Sequence, residues 1–359
     1  MSPASPGTIP AIVLGGSGYV AGELLRLLAG HPHFTLAGVL SDSKPGEAIA
    51  GSFGHLAAAY PDARFCSRQE IEAIVARERG IAIFGAAPHG AAAALIDGLL
   101  AKSESAFGAG AARVVDISAD FRYRSAAAYE SVYQTTHGAP GRLAAFTCAL
   151  PEHLAHAPTA HVSHPGCFAT ATLLASVPLL KLGLIEPELF VAAITGSTGS
   201  GRKPVPGTHH PLRHGDLYTY GVLTHRHVPE IVACALAASA VEARFAFVPH
   251  SGPFARGIHV TVQARLRTAR DSAQIVAALG EFYAPAPFVQ VRTAAPRIKE
   301  VAASNYAQLS AVSDGRTVAV MCAIDNLNKG AAGGAMQWMN RLHGLPETAG
   351  LTAPAAGWT

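Results

Sequence analysis

Ala11-Ile12-Val13-Leu14-Gly15-Gly16-Ser17-Gly18-Tyr19, near the start of a 359-residue chain, runs four apolar residues into a glycine turn. The apolar run reads as a parallel strand buried on both faces. Glu23–Leu28 follows with helical spacing and stops at Gly30-His31-Pro32. Phe34–Leu40 is a second strand, ending at Ser41-Asp42-Ser43-Lys44. Together these make one βαβ unit. Its glycines let backbone approach a pyrophosphate, and its helix N-terminus favours an anion. Gly15, Gly16 and Gly18 are therefore candidate cofactor contacts. The spacing is Gly15-x-x-Gly18-x-x-Ala21 rather than the common GxGxxG, so the flanking strand and helix carry the inference. At the end of the second strand, Asp42 suits the ribose 2′-hydroxyl of NAD. Ser41, Ser43 and Lys44 suit the 2′-phosphate of NADP, and the residues alone leave both open.

The alternation continues. Ile81–Ala87 is a third apolar run, ending in Pro88-His89-Gly90 and an Ala-rich helical stretch to Leu100. Arg113–Ser118 is a fourth, followed by Ala119-Asp120-Phe121-Arg122. Strands alternating with helices imply a doubly wound parallel sheet, an α/β Rossmann domain, whose ligands gather past the strand C-termini. Pro88, His89, Asp120 and Arg122 lie there. Arg122 reads either as a surface ion pair with Asp120 or as an anion clamp.

Composition agrees with folded domains. The length suggests two. Half the residues are hydrophobic and only 14% are charged, which excludes disorder. A net charge of +3 is too mild to imply nucleic acid as a partner. No apolar run is long enough to span a membrane, and the first ten residues read as a frayed tail rather than a signal peptide. Five scattered cysteines, with no CxxC pair, imply neither a disulfide framework nor a metal site, and point to the cytoplasm.

One cysteine stands apart. In His164-Pro165-Gly166-Cys167-Phe168 the Pro-Gly break puts a helix start at Cys167. The positive end of a helix dipole favours thiolate, the form that attacks activated carbonyls. Cys66, Cys148, Cys234 and Cys322 have no such setting and read as buried small residues. Thr224-His225-Arg226-His227-Val228-Pro229-Glu230 supplies two imidazoles and a carboxylate for proton transfer. The His-x-His pair also matches a metal half-site, but no further ligand set accompanies it. His209 and His210 read as loop or substrate contacts. Gly196-Ser197-Thr198-Gly199-Ser200-Gly201-Arg202-Lys203 lacks P-loop spacing and reads either as a backbone anion nest with two cations or as a flexible connection. Strand-like Phe190–Thr195, Arg244–Val248, Gly257–Leu266 and Val318–Ile324, with helices at Val228–Ala240 and Ala273–Tyr283, make the second half an α+β domain.

Taken in order, Gly15–Tyr19, Asp116–Arg122, His164–Cys167, His225–Glu230 and Asp325-Asn326-Leu327-Asn328-Lys329-Gly330 resemble the N-acetyl-γ-glutamyl-phosphate reductase family, relatives of aspartate-semialdehyde dehydrogenase. The resemblance runs from about Ala11 to about Leu351. It implies NADPH-dependent reduction of N-acetyl-γ-glutamyl phosphate to N-acetylglutamate 5-semialdehyde and phosphate, through a cysteine thioester, in arginine biosynthesis. It makes Cys167 the nucleophile and His227, or else His225, the acid/base, with Glu230 in the same catalytic segment. Cofactor contacts become Ser17–Val20, Ser41–Ser43, Lys44, Pro88 and Asn326. Arg122, Ser200, Arg202 and Lys203 become candidates for holding phosphate or substrate. It also implies an NADP-binding domain over residues 1–165, completed by a helix from Gly330 to His343 within 330–359, a catalytic α+β domain over 166–329, and a homo-oligomer.

Three departures stand out: His164, Phe168 and Ala21 replace the family's usual Asn, Tyr and Gly. His209-His210-Pro211 is similar to a sister branch acting on aminoadipyl or glutamyl phosphate carried by a small acidic protein, an alternative substrate class. A nucleotide-sensing regulator of the same fold is a further alternative, but it would need neither Cys167 nor the His-Arg-His segment.

Overall fold

The computed structural model describes residues 7–358. The chain forms two compact units. One runs to Cys148 and takes in His156–His164 and Ala332–Thr352; the other comprises Ala149–Ala155, Pro165–Ala331 and the residues from Ala353.

The first unit carries a six-stranded sheet in the order β2-β1-β3-β4-β6-β5. Its strands are β1 (Ile9–Leu14), β2 (Phe34–Val39), β3 (Ile81–Gly85), β4 (Ala112–Asp116), β5 (Phe146–Cys148) and β6 (His161–Ser163). All neighbours pair in parallel. The doubly wound α/β expectation is met. Every residue of β3 is buried, as a strand covered on both faces requires. Helices Tyr19–Ala29, Arg68–Arg77 and Ala92–Phe107 supply crossovers. The second starts in a capping box, Ser67 with Glu70. Ile12, Leu14, Ile83, Ile96, Leu99 and Val114 join one apolar cluster, each fully buried side chain contributing about 1.5–3 kcal/mol.

The tail expectation needs correction. Met1–Pro6 lie outside the described residues, but Ile9 and Pro10 already pair with Phe34 and Thr35, so β1 begins two residues before the apolar run. Pro10 is tolerated because the apolar run, not this residue, forms the strand's centre.

Helix Gly333–Leu342 completes this unit, with Met336, Trp338 and Met339 fully buried. It starts three residues later than expected. Residues Asn328–Ala332 form a π-turn instead, closed by the Gly330 N–H on the Asp325 carbonyl at 2.9 Å. His31 latches the helix. Its Nδ1 accepts the His33 and Phe34 amides, which leaves the proton on Nε2 to be donated to Asn340 Oδ1 at 3.1 Å.

The second unit is built on a mixed seven-stranded sheet, in the order β11-β12-β13-β10-β7-β9-β8. These are β7 (Ile185–Thr195), β8 (Tyr218–Thr219), β9 (Arg244–Ser251), β10 (Ile258–Leu266), β11 (Val289–Val291), β12 (Ala307–Ser313) and β13 (Thr317–Ile324). On β10, Ile258, Val260, Val262, Ala264 and Leu266 face inward and are buried, as the alternation requires. Helix Cys167–Lys181 is buried from Phe168 to Leu180, and Val228–Ser239 and Ser272–Phe282 are the unit's other long helices.

Candidate active site

In the nucleotide-type unit, the glycine turn sits between the ends of β1, β2 and β3. Gly15 has φ +79°, and a Cβ there would lie 2.3 Å from the Ala86 carbonyl oxygen. A Cβ on Gly16 would lie 2.7 Å from the Leu40 carbonyl oxygen, which accepts the Gly16 amide. Both glycines are thus demanded by neighbouring strand ends. Gly18 is different: its only close neighbour is the Gly15 carbonyl oxygen at 3.6 Å. It caps helix Tyr19–Ala29, where no side chain bonds the cap and no acidic residue lies in the first turn. An uncapped helix N-terminus at the point where strand order reverses fits a dinucleotide pyrophosphate. Beyond β2, Ser41 is buried and Asp42 and Ser43 are exposed. Lys44 Nζ donates to Ser52 Oγ at 3.1 Å and pairs with Glu47 at 3.5 Å.

Past β3 and β4 the loops are fastened together. His89 Nδ1 accepts the Ala119 amide, and Asp120 accepts the Gly90 and Ala93 amides and the Tyr129 hydroxyl. A surface ion pair between Asp120 and Arg122 is ruled out by burial: they are 1% and 6% exposed. The Arg122 guanidinium instead donates to the carbonyls of Ile117 and His164, stapling the ends of β4 and β6. Burial, opposed by the Ser118 hydroxyl and reinforced by the charge of Asp120, pushes the Asp116 carboxyl up to about 7.

In the second unit, Cys167 is the first residue of its helix, as expected, and is half-buried. Gly166, the cap, donates its amide to Glu230 Oε1 at 2.8 Å. That amide is therefore engaged rather than an oxyanion donor. Glu230, fully buried in the first turn of helix Val228–Ser239, holds the peptide ahead of the thiol.

Phe168, the next residue, packs edge-on against both imidazoles of the His-Arg-His segment. Its centroid lies 5.6 Å from His225 and 6.3 Å from His227, and the two imidazoles are 4.7 Å apart. Tyr220 and Phe247 close the aromatic box around His225 at 5.6 and 5.5 Å. Burial and the Arg226 charge lower the His225 pKa to about 4, so its ring is neutral near pH 7. Its Nδ1 accepts the His227 amide at 3.2 Å. Burial and then the charge of Cys167 push the Tyr220 phenol up, which keeps its hydroxyl protonated. Nothing in the sequence singled Tyr220 out, because only the turn between β8 and the His-Arg-His segment brings it here.

The glycine-rich loop is not an anion nest. The amides of Gly196, Ser197, Thr198, Gly199 and Gly201 donate to the carbonyls of Gly257, Phe254, Ala255, Gly196 and Thr198. Gly196 is demanded by this zipper, since a Cβ would lie 2.5 Å from the Ala255 carbonyl oxygen. Arg202 and Lys203 follow the zipper and are exposed. His209 and His210 are also exposed. Asn326 Oδ1 accepts the Gly257 amide and its Nδ2 donates to Thr198 Oγ1. Asp325, the head of the motif that ends at Gly330, is fully buried and gathers the Leu327, Asn328 and Ala303 amides and Arg256.

Cys66 and Cys322 are buried, which raises both thiols. None of the five cysteines is joined in a disulfide. Among the described residues, no group of three or more His, Cys, Asp or Glu is arranged to hold a metal ion, and no helix is long and apolar enough to cross a membrane.

Residues 10–156 match the semialdehyde dehydrogenase NAD binding domain, and residues 167–326 the semialdehyde dehydrogenase dimerisation domain. An N-acetyl-gamma-glutamyl-phosphate reductase of Symbiobacterium thermophilum is 38% identical over 96% of this chain and 97% of its own length. One of Desulforudis audaxviator is 36% identical over 95% and 97%. The fold is shared with aspartate semialdehyde dehydrogenase II of Vibrio cholerae, at TM-score 0.66 and 13% identity over 93% of this chain and 98% of that one. Across both units, the chain belongs to the N-acetyl-γ-glutamyl-phosphate reductase family of semialdehyde dehydrogenases.

Proposed function

We propose that the protein reduces N-acetyl-γ-glutamyl phosphate to N-acetylglutamate 5-semialdehyde and phosphate, as a step of arginine biosynthesis. The observation that carries the mechanism is Cys167 at the head of a buried helix, with Phe168 packed on the His225–His227 pair. NADP(H) is the cofactor; Gly18 and the amides opening helix Tyr19–Ala29 would hold its pyrophosphate, with Ser41 and Ser43 at the ribose. When bound, it supplies the hydride that converts a thioester to an aldehyde.

The Cys167 thiolate attacks the acyl phosphate carbonyl; the carbon–oxygen bond to phosphate breaks and phosphate departs with the electron pair. His227 is the acid/base that holds the thiol proton. His225 suits that role less, because burial and the Arg226 charge make its ring a weak proton acceptor and its Nδ1 already accepts the His227 amide. Glu230 positions the Gly166–Cys167 peptide rather than transferring protons. Ser200, Arg202 and Lys203 are assigned to the leaving phosphate or the substrate carboxylate.

The chain acts as a homo-oligomer in the cytoplasm. Its second domain matches one described as a dimerisation domain. The outer sheet face supports this: Val312, Ala319, Gln263 and Phe190 stand in register across β12, β13, β10 and β7. Phe190 is 55% and Val312 56% exposed.

The test runs the reaction backwards. Protein, NADP⁺ and N-acetylglutamate semialdehyde are mixed with and without phosphate, and reduced nicotinamide is followed by absorbance. Phosphate-dependent reduction that Cys167→Ala abolishes is the expected result. Silence from folded, NADPH-binding protein refutes the N-acetyl substrate and points to the carrier-linked aminoadipyl or glutamyl class.

A further inference from the structure

The π-turn before the last helix brings backbone onto the nucleophile. A Cβ on Gly330 would lie 2.7 Å from Cys167 Cβ, 3.1 Å from Cys167 Cα and 3.3 Å from Ile324 Cδ1. Contacts below 3.0 Å force something to move, so only glycine allows this approach. Gly330 has no room to retreat. Its amide is tied to the Asp325 carbonyl at 2.9 Å. The Asp325 carboxylate in turn fixes the turn's first residues through the Leu327 and Asn328 amides, both at 2.8 Å. Next to it, Lys329 is fully buried, paired with the equally buried Glu152, and lies over the Phe288 ring. A buried lysine on the adjacent residue is held by charge as well as packing.

We propose that Gly330 is a positioning residue for the Cys167 nucleophile. The anchored turn walls one side of the Cys167 Cα–Cβ bond and so restricts the directions in which Sγ can point. The Asp325 hub and the Lys329–Glu152 pair are what make that wall rigid. π-turns recur at functional sites, where the extra residue re-aims the backbone. This inference rests on Cys167 being the nucleophile, and it adds the element that aims the thiol.

The test is Gly330→Ala, read by steady-state kinetics and by iodoacetamide alkylation of Cys167, quantified by peptide mapping across pH. The added methyl must displace either the Cys167 helix start or the turn. Misaiming a reacting group costs on the order of tenfold to a hundredfold in rate. The expected result is a loss of that size in kcat with KM changed less than about twofold, and an altered pH profile of alkylation. A purely structural glycine would lower thermal stability and leave both unchanged. Ile324→Val, added to Gly330→Ala, trims the atom behind the new methyl and is expected to restore part of kcat. Unchanged kcat and alkylation in folded Gly330→Ala overturns the proposal. Where Gly330→Ala gives no folded protein, Ile324→Val alone is measured; a threefold change in alkylation rate supports the proposal and an unchanged profile overturns it. Wild-type protein separates the two ideas: if Cys167 alkylates no faster than Cys148, the nucleophile assignment itself has failed.

Discussion

His31 offers a stability prediction that can be worked through. It is 8% exposed, and burial lowers its pKa from 6.5 to about 4. Its ring sits between the β2 entry and Asn340 of the last helix, and a Cβ on Gly350 would lie 2.3 Å from its Cδ2. Protonation would place a hydrogen on Nδ1, which now accepts two amides, so the lowered pKa has a geometric cause as well. The folded pKa lies below the unfolded value, so the unfolded chain binds more protons between pH 6.5 and 4. The contribution is therefore fully present above pH 6.5 and is lost as pH falls toward 4. A 2.5-unit shift gives a loss of about 2 kcal/mol between pH 7 and pH 5 and about 3 kcal/mol at the acid limit. Two tryptophans make the assay selective. Trp338 is fully buried on the same helix, while Trp358 is 97% exposed and changes little on unfolding. Urea unfolding followed by tryptophan fluorescence is compared at pH 7 and pH 5 for wild-type and His31→Asn. The variant is expected to be less stable at pH 7, and the gap should narrow by about 2 kcal/mol at pH 5. Background from His161 and His343, also lowered to about 4, cancels in the comparison. A gap that is the same at both pH values refutes the reasoning.

Four further outcomes are expected. His227→Asn should lower kcat about 10²-fold or more and erase one limb of the pH–rate profile, while His225→Asn keeps that limb; full profiles of kcat/KM distinguish them. Glu230→Gln keeps an acceptor for the Gly166 amide but loses the charge, costing about 1 kcal/mol in denaturant stability, and the Cys167 alkylation rate should shift with it. Lys329→Met leaves Glu152 buried without its lysine, a loss of about 3–5 kcal/mol, and adding Glu152→Leu should recover most of it in thermal melts. Gly15→Ala forces a positive φ and a clash with the Ala86 carbonyl; NADPH binding, read by nicotinamide fluorescence, should weaken about fivefold to thirtyfold, which is what a strain of about 1–2 kcal/mol implies.

What could be read from the chain follows contact range. β1 to β4 were legible because each carries a short apolar stretch closed by turn residues, and Cys167 because Pro165-Gly166 marks a helix start within three residues. β5 and β6 were not, since three residues such as Phe146–Cys148 carry no periodicity. The glycine-rich loop left two readings open for a physical reason. Small residues accommodate either an anion or another strand of backbone, and here Phe254 and Ala255 take the place of the anion. Asp325 and Arg256 meet across 69 positions, and no local pattern announces that pairing. Gly330 was part of a recognised motif, yet its reason for being glycine lies 163 residues back, at Cys167.

The order in which the chain visits its two units has a consequence for how the protein comes into being. Ala149–Ala155 belongs to the second unit although first-unit residues flank it, and helix Gly333–Leu342 belongs to the first although the whole second unit precedes it. Neither unit is an unbroken stretch, so neither can be cut out with a single pair of termini. During synthesis, the nucleotide-type sheet must wait for its closing helix until the second unit's sheet has been made. The apolar surface that Met336, Trp338 and Met339 will cover stays open for that interval. A helix made after the whole second sheet therefore seals the first core, and a chain cut before it would betray itself by that exposed surface.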